Sequence, residues 1–402
     1  MSRQANTPFT GASSSEISLI GSIAASLMKL GAPYVVAWSK YYNPQSVICA
    51  GGILFGVSSV LASFGTALWH FQLTQGLLVG FATCLSFMPS MAVPPRWFGK
   101  HRGLNMGIIS AGTGIGGLVW SPILTTCLDS MGYRNTLRLT GCLCTVLICA
   151  SGAVLTWEPN MAARLREDNE KLSWVSGLVM VPLPPRNIVM TRKFLAQCLN
   201  AAFQSAAYYT PIFYISAYSK TLGYSDAEGS NYTALSNACN AIGKVGVGFI
   251  ADKIGRLDAF FLTTLLSSVS TAGLWTPSTV IGITDVSSGK RLFVGFTVVY
   301  GLFASAYIGL FSPALVELFG MDNMPRITGI MYMIQGAAGL VGTPVAGVLV
   351  RSLSSSVDPE DCLYMAVFVG ALMVASTVTV FWARMEFMLE RTGGRWRWLW
   401  KL

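Results

Sequence analysis

A chain of 402 residues that is 52% hydrophobic and only 11% charged lies far from the roughly 25% charge of soluble globular proteins. Its mean hydropathy is +0.54, and the apolar residues gather into runs long enough to cross a bilayer, which takes about 20 residues of helix. The net charge of +9 invites a nucleic-acid reading, but the placement of the basic residues excludes it.

Eleven such runs follow one another, at about 17–38, 47–69, 72–95, 103–126, 138–157, 194–217, 230–251, 258–277, 291–314, 327–350 and 363–385. A transmembrane barrel would alternate in segments of ~10 residues. The expected fold class is therefore all-α, a polytopic membrane helix bundle. If the C-terminal tail is cytoplasmic, 18 of the 27 Lys and Arg fall in inside loops and seven outside, with Lys29 and Lys244 inside spans. This is the positive-inside asymmetry, so the charge reports topology and no nucleic-acid partner. The bilayer is the expected partner and the plasma membrane the expected location.

The first span carries Lys29 near its middle and runs into "VAWSKYYNPQ" at 36–45. The fourth reads "WFGKHRGLNMGIISAGTGIGGLVWSP", dense in glycine and entered at Arg102. After the fifth comes a polar stretch, 158–193, holding "ARLREDNEK" and "VPLPPRN", which predicts a short surface helix and a proline-stiffened linker. It divides the chain into an N-terminal half-bundle (1–157, five spans), a cytoplasmic linker (158–193), a C-terminal half-bundle (194–385, six spans) and a basic-aromatic tail (386–402). The alternating Arg and Trp of that tail suit an anionic inner-leaflet interface.

In the second half, the sixth span offers Asn200, Gln204, Tyr208 and Tyr209 as cavity groups or as packing. Tyr307 of the ninth span carries the same two readings. Asn231 begins the sequon "NYT", close to the membrane. The seventh span holds Asn240 and Lys244 and ends in "GFIADKIGR" at 248–256. There Gly248 permits close helix approach, Gly255 suits the turn out of a helix, and Lys253 and Arg256 anchor the turn on the inner side. Asp252 is placed to pair with an arginine or to face a helix N-terminus, specifically near Arg102 and Gly103, so the loop reads as a latch. Glu317 and Arg326, in "VELFGMDNMPR", form either a second latch or a solvated pair. Lys244 lies eight residues before Asp252, about 12 Å up the helix, where a cation is costly unless it faces a cavity or a partner.

The halves repeat. Gly107, Gly114, Gly117 and Pro122 match Gly329, Gly336, Gly339 and Pro344, each 222 positions on, and internal repeats are a hallmark of secondary transporters. In the second half the Asp-Lys-x-Gly-Arg loop follows two spans, but its echo in the first half follows one. The first half is thus expected to lack its first helix.

Two pseudo-repeated halves with this loop resemble the major facilitator fold. "PRWFGKHRGLNMGIISAGTGIGG" and "SPALVELFGMDNMPRITGIMYMIQGAAGLVGTPVAG" resemble signatures of the monocarboxylate transporter family, in its fungal branch, over about residues 16–385. The resemblance implies that Lys244, with Asn240 one turn away, pairs with the carboxylate of an organic anion. Lys29 either lines the same cavity or faces the place of the missing helix. Asn240 stands where the family carries a proton-exchanging acid, so protons as coupling ion are left open. The expected function is secondary transport of a monocarboxylate or carboxylate-bearing metabolite by alternating access, including export of a fungal secondary metabolite. The alternative is a non-transporting membrane protein. Nine scattered cysteines, no Cys/His cluster and no catalytic constellation predict neither enzyme, metal nor cofactor.

Overall fold

The structure, a computed structural model, describes residues 14–170, 183–350 and 358–391. The basic-aromatic tail and part of the central linker lie outside these. The described residues form helices α1 (Ser14–Leu30), α2 (Ala32–Tyr41), α3 (Pro44–Ser63), α4 (Leu68–Trp97), α5 (Arg102–Val154), α6 (Pro159–Glu170), α7 (Arg192–Thr221), α8 (Asp226–Ile254), α9 (Arg256–Thr284), α10 (Val286–Phe319), α11 (Met324–Val348) and α12 (Pro359–Arg391). α1 and α2 form one bent rod, turned by 48°. α5 is two rods meeting at Gly132, whose φ of +75° breaks the helix. Eleven rods of membrane length result among the described residues, in the order expected. The second and third meet near 64–67 rather than at 70, where Phe64, Gly65 and Thr66 form the turn. The linker helix is α6.

Local sequence explains the helix ends. Ser225 accepts from the Glu228 amide while the Glu228 carboxylate returns to Ser225, a capping box that starts α8. α8 stops at Gly255, whose φ of +105° suits a residue without Cβ. The matching turn between α2 and α3 uses Asn43 at φ +74°, the residue type that best tolerates that region after glycine.

The chain forms two compact units, and each mixes the two sequence halves. Unit 1 holds residues up to Trp97, Pro122–Leu183 and Pro325–Leu340; unit 2 holds Phe98–Ser121, Pro184–Met324 and Val341 onward. In unit 1, the second rod of α5 packs on α3 through small residues: Thr145 Oγ1 donates to the Gly52 carbonyl at 3.0 Å, and a methyl at Gly141 would press on Ser59. Small residues bring helix axes close where lipid offers no competing hydrophobic drive. The indoles of Trp97 and Trp157 tie the ends together by donating to the carbonyls of Thr156 and Ser39, both at 2.8–2.9 Å. The core of unit 2 is aromatic: Trp275 stacks on Phe296, and Tyr218, Phe293 and Tyr300 surround them. Many of the large exposed side chains are aliphatic, for example Ile53, Val57 and Leu61 on α3 and Ile242 on α8, a surface suited to lipid tails.

Candidate functional site

The site is built where the first rod of α5 crosses α8, within unit 2. Glycines on both helices set the distance. A methyl at Gly103 would lie 2.7 Å from the Gly248 carbonyl oxygen, one at Gly107 would collide with the Lys244 carbonyl, and one at Gly114 would lie 2.8 Å from both the Asn237 carbonyl oxygen and the Ala241 nitrogen.

At the lower end of this seam the first-turn amides of α5 have no partner within their own helix. Asp252 supplies one from α8: Oδ1 accepts from the Gly103 amide at 2.9 Å and Oδ2 from the Leu104 amide at 2.8 Å. A carboxylate at a helix N-terminus also meets the positive end of the helix dipole. Arg256 reaches back one turn to Asp252 Oδ1 at 3.3 Å and donates to the Gly99 carbonyl at 3.2 Å. The carboxylate is therefore held from both sides and lies where the sequence placed it, beside Arg102 and Gly103. Arg102 itself donates to the Phe98 carbonyl, and Lys253 lies over the Phe249 ring at 4.2 Å.

Eight residues up α8 sits Lys244, buried to 1% exposure. Its ammonium does not climb to the interface. It donates to the Ser110 carbonyl at 3.1 Å and to Thr113 Oγ1 at 2.5 Å, both on α5. Two oxygens leave a third ammonium hydrogen and most of the charge unmatched in a low-dielectric site. Beside it, Asn240 directs a buried Oδ1 that has no hydrogen-bond partner, close to Gly114. Thr113 was not expected from the sequence, because a threonine in a glycine run reads as one more small residue.

The other expected residues divide. Tyr208 is buried, its ring edge-on to Tyr209, which in turn stacks on Phe213; the Tyr208 carbonyl accepts from the Tyr300 hydroxyl at 3.0 Å. Tyr307 is packed between Phe260 and Phe311 at 5.2 and 5.3 Å. Asn200 and Gln204 are fully buried around Ser376 Oγ of α12, at 2.8 and 2.9 Å, which makes them glue between α7 and α12. Asn231 lies exposed in the second turn of α8. Glu317 accepts from the Leu257 amide at 3.1 Å, capping α9 as Asp252 caps α5. Arg326 belongs to unit 1, where it shares a field with Lys40 and Arg96.

Unit 1 contains a second seam of the same design. A methyl at Gly329 would lie 2.9 Å from Pro33 Cα, and one at Gly336 would lie 2.7 Å from the Ser26 carbonyl oxygen and 2.8 Å from the Leu30 nitrogen. The partners Ser26, Leu30 and Pro33 stand 211 positions before Asn237, Ala241 and Lys244. The repeat is therefore structural as well as sequential, and it makes Lys29, buried in α1, the counterpart of Asn240.

Three kinds of comparison agree with this geometry. The profile of the Major Facilitator Superfamily matches residues 7–288. The chain belongs to the Major Facilitator Superfamily. Its superfamily relatives include the agnestins efflux protein of Paecilomyces divaricatus, 26% identical over 93% of this chain and 79% of that protein. Monocarboxylate transporter 11 of Homo sapiens is 27% identical over 84% of this chain and 69% of the relative. Among solved structures, the proton:xylose symporter XylE matches with a TM-score of 0.70 at 14% identity, over 91% of this chain and 86% of that one. That last likeness speaks for the fold. The chain is a multi-pass membrane transporter of this superfamily and not an enzyme.

Proposed function

We propose that this transporter moves an organic monoanion, a monocarboxylate or a carboxylate-bearing metabolite, by alternating access, with Lys244 as the group that binds the carboxylate. The observation that carries this reading is the position of Lys244: a fully buried ammonium at mid-helix, held only by a carbonyl and a hydroxyl, beside an amide oxygen without a partner. A buried charge is stabilised far more by an opposite charge than by neutral dipoles, so an entering carboxylate competes well for it. The name of one relative, a monocarboxylate transporter, supports the same class of cargo, and the name of another, an efflux protein, supports export. Lys29 lines the equivalent place in the other seam.

In this reading the basic-loop side faces the cytoplasm of a plasma-membrane protein, and the α5–α8 seam is latched at that side. Opening requires Asp252 to release the α5 amides. A carboxylate that takes Lys244 from Thr113 and Ser110 loosens α5 from α8 at the same stroke, which couples binding to release of the latch. Export of a carboxylate-bearing metabolite uses the same steps in reverse order. Asn240 carries no proton to exchange at ordinary pH, so the coupling of protons, if present, runs through another group.

Reconstituted protein taking up radiolabelled monocarboxylates tests this. Lys244→Ala should lower uptake roughly tenfold to a hundredfold, the value of a hydrogen bond to a charged group, and the corresponding methyl ester should not be carried by the wild type. Undiminished uptake by Lys244→Ala would remove the basis of the assignment.

A further inference from the structure

Where α3 meets the second rod of α5, within unit 1, small groups carry most of the contact. Thr145 bonds to the Gly52 carbonyl, a methyl at Gly56 would collide with Thr145 Oγ1, and one at Gly152 would lie 2.5 Å from Ile48 Cγ2. Such residues let helix axes approach closely in lipid. One crossing point is different, because both helices place a cysteine there. Cys49 Sγ donates to the Cys149 carbonyl at 3.8 Å, and Cys149 Sγ donates to the Cys49 carbonyl at 3.7 Å. The contact is thus reciprocal, and each thiol also lies within hydrogen-bond reach of the other. The backbones are already near: a methyl at Gly52, one turn from Cys49, would lie 3.0 Å from Cys149 Sγ. Both residues are free thiols and half-buried, and their sequence neighbours Ala50 and Ala150 are exposed, so the pair sits at the rim of the seam beside the lipid-facing surface. Cys84, against Gly31, is fully buried by contrast.

The helix ends set the depth. Cys49 stands five residues after Pro44, where α3 begins, and Cys149 five before Val154, where α5 ends, about 8 Å from that end at 1.5 Å per residue. With the topology proposed above, this is the cytoplasmic side. Thiols there are ordinarily kept reduced, and the disulfides that do form in that compartment are mostly transient and redox-sensing. We infer that Cys49 and Cys149 are a redox-sensitive pair that a hydroperoxide, of a lipid or in solution, converts to a disulfide joining α3 to the second rod of α5. One cysteine, as its thiolate, attacks the outer peroxide oxygen. An S–O bond forms, the O–O bond breaks, and the remainder leaves as an alcohol, or as water from hydrogen peroxide, with the thiol's proton. The second thiol attacks the sulfenic sulfur, the S–S bond forms, the S–O bond breaks, and water leaves with the second proton. The two sulfurs together lose two electrons, which the peroxide gains. The cysteines are 100 positions apart, and closing so long a loop takes much freedom from the unfolded chain. The staple acts at the end of unit 1 where Trp97 and Trp157 already tie the helices. Oxidant at the inner leaflet thereby stabilises the first half.

The inference takes its compartment from the proposed orientation but nothing from the identity of the cargo, because its test reads covalent state and stability. The full chain in nanodiscs is treated with hydrogen peroxide or with cumene hydroperoxide, the remaining thiols are blocked with N-ethylmaleimide, and the digest is analysed by mass spectrometry. A linked pair of peptides holding Cys49 and Cys149 should form and should disappear with dithiothreitol. Thermal unfolding of the oxidised protein should shift upward. Cys149→Ser should lose both the linked peptide and the shift, and leave Cys49 as a sulfenic acid that dimedone traps; Cys49→Ser should do the same at Cys149. Linkage by cumene hydroperoxide at doses where hydrogen peroxide has no effect identifies a lipid source, and linkage by both identifies a soluble one as well. No linked peptide with either oxidant, the same yield from the chain unfolded in dodecyl sulfate, or a thermal shift that persists in the double Ser variant would overturn the proposal. The comparison of folded with unfolded wild type decides the matter even if a Ser variant fails to fold.

Discussion

The seam between α5 and α8 and the seam between α11 and the α1–α2 rod are two copies of one device at different stages of elaboration. Both use glycine pairs seven residues apart, Gly107 with Gly114 and Gly329 with Gly336, to bring a helix within methyl-excluding distance of its neighbour. Backbone geometry has therefore been kept on both sides. The polar chemistry has not: one seam has a buried lysine, a carboxylate and two bonded amides, and the other a buried lysine one turn away and Arg326 in the field of Lys40. Packing sets where the helices meet, and a few charged residues set how firmly they stay.

Three changes break or sharpen this contrast. The largest effect is expected from valine at the glycines. Gly107→Val and Gly329→Val force side-chain carbons into backbone and should each cost about 1–3 kcal/mol or more of stability, read as thermal unfolding in detergent. Gly112→Val, whose added carbon meets nothing within 4 Å, is the matched control, and equal tolerance of all three would mean that the close crossings are not maintained in the membrane. The next is Asp252→Asn. Loss of a charged cap costs about 1 kcal/mol, up to 2, so hydrogen exchange at the Gly103 and Leu104 amides should rise roughly tenfold while residues 326–336 exchange as before. A change shared equally by the two seams would contradict their independence. The smallest is Lys253→Gln. An exposed cation over a ring is worth about 0.5–1 kcal/mol, so transport affinity should move by less than a factor of about five.

The sequence made most of this fold legible because membrane helices announce themselves by length. The glycine repeat could be read before any contact was known, since close approach tolerates no other side chain. Asp252 was legible for the same reason: a carboxylate in a basic loop needs a partner, and a helix N-terminus lay at the right level. What stayed hidden were partners supplied by backbone or by small polar groups. The Ser110 carbonyl leaves no trace in a sequence, and the Thr113 hydroxyl is masked by the glycines around it. Glu317 was open to a latch or a solvated pair with Arg326, and the Leu257 amide that its carboxylate accepts from leaves no trace in the sequence. Tyr307 was open to a cavity or a packing reading, and its ring lies between Phe260 and Phe311.

The claim at the centre of this account is that α5 and the cargo compete for the Lys244 ammonium. Initial rates of monocarboxylate uptake into proteoliposomes, measured over a range of substrate for wild type, Lys244→Ala and Thr113→Val, test it directly. Removing the Thr113 hydroxyl frees the ammonium of one partner, worth about 1 kcal/mol, so Thr113→Val should lower KM severalfold while Lys244→Ala lowers uptake roughly tenfold to a hundredfold. A Thr113→Val protein whose KM rises, or a Lys244→Ala protein that transports as the wild type does, would contradict it.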